Sequence, residues 1–215
     1  MCGAFSIRLN PWERELISKS GVPTKWEPIY NARPGEWLPI ITEEQPKTIT
    51  TAFWGFIPHW ATKPGLKAVI NARAESVAEK PYFRSSFQSR RCVIPADGFY
   101  EWLPKGRVRV PFYFHRKDNK PFLFAGLYDK LPGHEDKDGF VIITTKPNPL
   151  VEKIHDRMPV MLEDGQEKIW LNSNAKKPEI EGLLDAYPEK LMAMRQVSSK
   201  VNSSKNKSNS VLDPA

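Results

Sequence analysis

The second residue is a cysteine that directly follows the initiator methionine, in Met1-Cys2-Gly3-Ala4-Phe5. Removal of Met1 would leave Cys2 with a free α-amine and a thiol on one carbon skeleton, a 1,2-aminothiol. An unperturbed α-amine titrates near ~7.7–8.0 and a thiol near ~8.5, so both nucleophiles are partly available at neutral pH. The amine condenses with an aldehyde to a Schiff base. The thiol can then close on the imine to give a five-membered ring. Such a residue selects aldehydes over most other groups in a cell. By position alone, Cys2 is equally a small residue that happens to follow Met1.

Three further segments place polar or reactive residues inside apolar, turn-rich surroundings. They are Asn71-Ala72-Arg73-Ala74-Glu75, then 91–102 (Arg-Cys-Val-Ile-Pro-Ala-Asp-Gly-Phe-Tyr-Glu-Trp), then Ile154-His155-Asp156-Arg157-Met158-Pro159-Val160. Each is weak alone. Glu101, between Tyr100 and Trp102, could point to solvent from an alternating strand. Asn71 could be a helix N-cap. His155 could complement the C-terminal dipole of a short helix. As chemistry, Schiff-base formation needs a proton delivered to the departing water, and a buried carboxyl or imidazole can supply it. A carboxylate among tryptophan-rich segments could have the raised pKa that an acid working near pH 7 requires.

These residues need a scaffold. With 215 residues, 40% of them hydrophobic, the chain can bury one sizeable core. Twenty prolines and seven tryptophans favour a turn-rich, sheet-based architecture over a helix bundle. The spacing predicts a capped helix from 10 to 17 (Asn10 as N-cap, Pro11 at N1) and strands at 37–41 and 48–54. A loop follows at 54–60, then a helical run at 73–80 that Pro81 ends. Strands are expected at 91–94, 98–103, 110–115, 121–128 and 139–145. A capped helix begins at 148–154, and 164–171 and 177–186 read as helical. After 198 the composition turns to Ser, Asn and Lys, which predicts a disordered tail over 203–215. No repeat or linker divides the chain. The reading is one α+β domain, 2–202, with largely antiparallel, barrel-like sheets flanked by short helices.

Bulk properties narrow the partners. Only Cys2 and Cys92 are present, expected free, and the four histidines lack Cys or His neighbours at metal-finger spacing, so neither a metal nor a cofactor is expected. No apolar run approaches a membrane span and no secretory pattern opens the chain, so a cytoplasmic protein is expected, nuclear in a eukaryote. The net charge of +7 favours an anionic partner such as nucleic acid, though many basic proteins bind none.

Taken together, the blocks resemble the SRAP (SOS-response-associated peptidase) family, which processes abasic DNA sites. Met1-Cys2-Gly3 opens the chain. Trp54-Gly55-Phe56-Ile57-Pro58-His59-Trp60 is similar to the family's Trp-Gly-Leu-Ile-Pro-x-Trp. Asn71 to Glu75 matches Asn-Ala-Arg-x-Glu, 91–102 is nearly the family signature, His155-Asp156-Arg157-Met158-Pro159 matches His-x-Arg-Met-Pro, and Val197-Ser198-Ser199-Lys200-Val201-Asn202 resembles the closing block. The resemblance covers residues 2 to about 202 in family order. It implies a DNA-damage enzyme in which the mature N-terminal cysteine attacks the ring-opened aldehyde of an abasic site in single-stranded DNA, leaving a thiazolidine crosslink. On this chain it implies Cys2 as nucleophile, Asn71 positioning it, Glu101 in proton transfer and crosslink reversal, and His155 assisting sugar ring opening. Lyase activity, and hydrolase or protease activity limited to self-removal of Met1, belong to the same expectation, with the protein a monomer.

The DNA surface is expected to use Arg73, Arg84 and Arg157 on phosphates, with Arg33, Arg90 and Arg91 as additions. Trp54, Phe56, Pro34 and Trp37 would stack on bases or wedge between them, although any single tryptophan could equally be core. One departure stands out. The family usually reads Met-Cys-Gly-Arg-Phe, and here Ala4 replaces the arginine. Loss of a charge-assisted phosphate contact worth ~1.5–3 kcal/mol should weaken DNA affinity and leave the aminothiol intact. The competing classes are a non-catalytic single-strand-binding module and a peptidase. No Ser-His-Asp order or second Cys/His motif supports a general protease.

Overall fold

The computed structural model describes residues 2–8, 27–42, 49–61, 63 and 65–215, and the predicted helix at 10–17 lies outside them. The chain starts with β1 (Phe5–Ile7), β2 (Ile29–Ala32), β3 (Trp37–Thr42), β4 (Ile49–Trp54) and β5 (Asn71–Arg73). Two helices follow, α1 (Ala74–Val77) and α2 (Pro81–Ser89), then the long strands β6 (Arg91–Ala96), β7 (Gly98–Lys105), β8 (Val108–Arg116), β9 (Phe122–Leu131) and β10 (His134–Thr145). Short elements complete it: α3 (Pro149–Glu152), β11 (Met158–Pro159), β12 (Met161–Leu162), α4 (Gln166–Leu171), α5 (Lys177–Glu181) and β13 (Met192–Gln196).

The strands form two sheets. One has the order β13-β8-β7-β1-β2 and is antiparallel throughout. In the other, β10-β4-β3-β6-β9 close into a ring because β9 also pairs with β10. Among the described residues, only β10 with β4 and with β5 runs parallel. The fold is a single-domain α+β architecture with a closed five-stranded barrel and short flanking helices, as the sequence predicts.

Both faces of the barrel strands are covered, which is why their sequences are nearly continuous apolar runs. Along β6, Cys92, Ile94 and Ala96 enter one core with Phe5, Trp54, Phe99 and Phe124. Val93 faces the other way, into a second core with Phe56, Phe83, Phe87 and Trp170. The period of two is that of any pleated strand. Gly98 opens β7 where a Cβ would meet the Phe114 carbonyl oxygen at 2.3 Å and the Tyr113 ring at 2.4 Å, so no larger residue fits there.

Two expectations change. The run 73–80 is helical only over α1, and Pro81 begins α2 instead of ending a helix. Proline suits the first helical turn, where its missing N–H has no intrahelical partner to lose. The segment 203–215 is folded, not disordered. Val211 is fully buried with Ala4, Tyr100, Tyr113, Val197 and Val201. The buried Asn31 side chain donates to the carbonyls of Ser203 (3.1 Å) and Asn206 (3.0 Å), and Arg195 donates to that of Leu212 (2.7 Å). Polar composition misled because two apolar residues and a set of backbone carbonyls suffice to anchor so short a strap.

Candidate active site

Cys2 reaches the site through β1. Phe5 pairs with Phe99 and Ser6 with Gly98, and the Tyr100 amide donates to the Ala4 carbonyl at 3.0 Å. Continuing that antiparallel register lays the chain start against Glu101. Glu101 is 3% exposed, so it does not face solvent as an alternating strand would allow. Burial pushes its carboxyl up to about 7. The Cys2 thiol is held well above its ordinary range, first by burial and then by the Glu101 charge. The two groups are therefore electrostatic neighbours: a protonated thiol beside a carboxyl poised between its acid and base forms.

Asn71 arrives from the other sheet, on β5 beside β10. Its Nδ2 donates to the Cys2 carbonyl at 3.0 Å, fixing the backbone of that cysteine. It is not the N-cap of α1, a position held by Arg73. Among the described residues the buried Asn71 Oδ1 has no hydrogen-bond partner, an acceptor left open beside Cys2. His155 follows α3, and its Nε2 lies 3.8 Å from Glu101 Oε2. Its Nδ1 accepts from the Arg157 amide at 3.0 Å, which puts the ring proton of the neutral form on Nε2, toward Glu101. Asp156, largely exposed, is 2.9 Å from the same Nδ1 and pairs with it only when the ring is charged. Burial above all lowers the His155 pKa and favours the neutral form. All four expected catalytic residues thus converge.

The expected DNA contacts divide. Arg73 and Arg84 are exposed, and Arg84 lines a cleft of about 330 Å³ with Phe87, Lys177 and Ile180. Pro34 and Trp37 are exposed on the turn into β3, with Trp37 packed on Phe53 at 5.7 Å. Trp54 and Phe56 are instead fully buried, so neither can stack on a base. Trp54 stacks on Phe140 and donates its Nε1–H to the Ile70 carbonyl, and Phe56 packs on Phe83. Arg157 is committed to Glu75 and to the Thr144 carbonyl, which makes it a staple between α1 and β10. Arg91 is 3% exposed and donates to the carbonyls of Phe87, Gln88, Trp170 and Asn172, where α2 and α4 end. It cannot meet a phosphate. Arg90 pairs with the buried Asp129 (3.2 Å), and Arg33 lies over the Trp102 ring, tied to Asn31. Sequence reasoning missed Trp60, 50% exposed beside Tyr82, and Arg109, whose positive charge reaches Glu101 and His155. The flanking Trp in the 54–60 block and the Val-Arg-Val alternation of β8 were the available signs.

Ala4 also differs from its expected role. It is fully buried in the cluster closed by Val211, so its methyl faces protein and not a phosphate.

A small barrel gathers an N-proximal cysteine, an asparagine, a buried glutamate and a histidine into one site on a basic protein. Comparison with known proteins places it further. The family model for SOS response associated peptidase (SRAP) matches residues 1–204, and the chain belongs to that family. It is 44% identical to the "Abasic site processing protein YoqW" of Bacillus subtilis (strain 168), over 99% of each chain. It is 29% identical to the "Abasic site processing protein YedK" of Escherichia coli (strain K12), over 90% of this chain and 88% of that one. Among solved structures, a protein from Bacteroides thetaiotaomicron superposes with a TM-score of 0.78 at 30% identity, over 86% of this chain and 85% of that one.

Proposed function

We propose that the protein is an enzyme that captures abasic sites in single-stranded DNA as a covalent adduct of Cys2. After Met1 is removed, by self-cleavage or otherwise, the Cys2 amine adds to the aldehyde carbon of the ring-opened sugar. The carbinolamine loses its hydroxyl as water, with a proton from Glu101 or His155. The Cys2 sulfur then attacks the imine carbon, its proton passing to Glu101 and one proton going to nitrogen, which closes a thiazolidine. Reversal protonates the ring as the C–S bond opens. Without the sulfur, an imine alone would lead to β-elimination of the strand, the basis of a lyase side activity. Asn71 positions Cys2 through its carbonyl. The observation that carries this reading is the buried Glu101 beside both Cys2 and His155, an arrangement that a passive binding module has no use for and that costs folding energy.

Intact mass should find Met1 absent from active protein. Incubation with an abasic oligonucleotide should give a heat-stable band on a denaturing gel. Cys2→Ala should lose that band by more than ~100-fold while binding an unreactive abasic analogue as the parent does. A full-strength stable crosslink from Cys2→Ala would identify another nucleophile.

A further inference from the structure

The turn between β7 and β8 projects from the antiparallel sheet, with Gly106 in the left-handed conformation (φ +60°) and Lys105 paired with Val108. Beside it lies a groove of about 430 Å³ lined by Arg33, Trp102, Arg107, Val108, Arg109 and Asn202. Its wall is rigid. Trp102 donates its Nε1–H to Asn202 Oδ1 at 2.6 Å, Asn202 Nδ2 donates to the Arg109 carbonyl at 3.4 Å, and Arg33 packs over the Trp102 ring at 5.1 Å. Arg107 and Arg109, like Arg73 and Arg84, are exposed without a carboxylate ion pair among the described residues, unlike the arginines that hold the fold together. Arg90, Arg116 and Arg157 are each matched to a carboxylate, and Arg91 is filled by carbonyls. Among the described residues, neither the Arg107 nor the Arg109 guanidinium forms an ion pair or side-chain hydrogen bond, and both are exposed. No acid lines the groove. The neighbouring Val108 is 60% exposed. Unmatched guanidinium groups on a fixed wall form a built site for a polyanion.

We infer that this groove holds the phosphodiester backbone of the DNA strand on one side of the lesion, with Arg107 and Arg109 taking phosphates and Arg33 supplying a fixed positive wall. The inference rests on the proposed reaction for the identity of the polymer. Continuity comes from Arg109, which lines the groove and whose charge also acts on Glu101 and His155. A strand entering the site past Arg109 would run along the β7–β8 turn. Such contacts set register and orientation and carry no base sequence.

The test measures binding separately from chemistry. Anisotropy is followed with oligonucleotides carrying an abasic analogue that lacks an aldehyde, flanked by five nucleotides on both sides, on the 5′ side alone, or on the 3′ side alone. The double variant Arg107→Glu/Arg109→Glu should bind the fully flanked oligonucleotide about 10-fold more weakly, and its salt slope should fall by about 1.4, or ~0.7 for each of two single-strand phosphate contacts. The loss should persist with only one of the two half-flanked oligonucleotides. Arg107→Glu alone, further from the chemistry, should give part of the same one-sided loss. An unchanged melting temperature certifies the fold. Unchanged affinity and slope overturn the inference, and so does an equal loss on every oligonucleotide, which would mark a diffuse charge effect. If the parent fails to crosslink a reactive abasic site while the one-sided pattern holds, the groove stands and the covalent reading falls. If it crosslinks without the one-sided pattern, the reverse is true.

Discussion

The pocket around Cys2 and the arginine-bearing surface around it are built on opposite terms. In the pocket, reactive groups are buried and held: Asn71 grips the Cys2 backbone, and Glu101 sits at 3% exposure beside His155. On the surface, Arg73, Arg84, Arg107 and Arg109 are exposed. Only some of the arginines that a reader of the sequence would assign to DNA are available for it, since Arg91 and Arg157 hold the fold together. Burial concentrates chemistry by shifting proton affinities. Exposure leaves charge free for a partner. The contrast turns into experiments of decreasing size.

The largest effect is expected at Glu101. A carboxyl whose folded pKa is raised, from an ordinary 4.5 to about 7, destabilises the fold once it must ionise. Its cost is absent below the unfolded pKa and grows as pH rises from about 4.5 through 7. The full shift corresponds to about 3 kcal/mol. Glu101→Gln, which keeps the shape and cannot ionise, should therefore melt higher than the parent at pH 8. The advantage should vanish near pH 5. The same substitution should slow crosslink formation, and slow its release more, as followed by transfer to excess fresh abasic DNA over hours. The pH–rate profile should lose its inflection near 7. A variant that is no more stable than the parent at pH 8 and exchanges as fast makes Glu101 a structural strand residue, and moves the proton transfer to His155.

Ala4 tests the wall between the two regions. Read from sequence, an arginine there should restore a phosphate contact. In the structure it would enter a cluster already filled by Tyr100, Tyr113, Val197, Val201 and Val211. Overpacking of this kind costs about 1–3 kcal/mol. Ala4→Arg should lower the melting temperature and loosen the 203–215 strap, seen as faster amide exchange at Val211, before any gain in DNA affinity. Tighter DNA binding with an unchanged melting temperature would show that the side chain escapes the cluster to solvent.

What the sequence could and could not disclose follows the same division. That Cys2, Asn71, Glu101 and His155 come together was legible, because each sits in a short ordered block whose residue types suggest one site. The strands β3, β4 and β6 to β10 were legible from β-branched and aromatic runs. Which strands meet around the barrel was not, because the pairings of β10 with β4 and of β3 with β6 join segments far apart in sequence. Nor was the fate of Trp54 and Phe56: an aromatic block broken by Gly55 and Pro58 looks like a surface loop, and only packing against Phe140 and Phe83 puts these rings inside. The tail misled for a related reason. Its composition is polar, yet Val211 and the Asn31 side chain, 180 positions apart in sequence numbering, meet the same strap.

Arg73 and Arg157 give the smallest and sharpest comparison. In sequence they are alike, each within a block expected to face DNA. In the structure Arg73 is exposed, while Arg157 has 13% of its side chain exposed and donates to Glu75 Oε2 at 2.9 Å and to the Thr144 carbonyl. Glu75 is held below its ordinary range chiefly by that hydrogen bonding, but it is itself 44% exposed, so solvent screens much of the pair. The buried end of the interaction, at the Thr144 carbonyl, retains most of its worth. Arg157→Ala should thus destabilise the protein by about 1 kcal/mol, and Glu75→Gln by less. Arg73→Ala should leave the melting temperature unchanged. It should weaken single-stranded DNA and reduce the salt slope by about 0.7. Thermal melting and salt titrations on both variants separate the roles. If Arg157→Ala melts like the parent yet loses the larger share of the salt slope, Arg157 leaves Glu75 when DNA binds, and the staple is a contact that the substrate displaces.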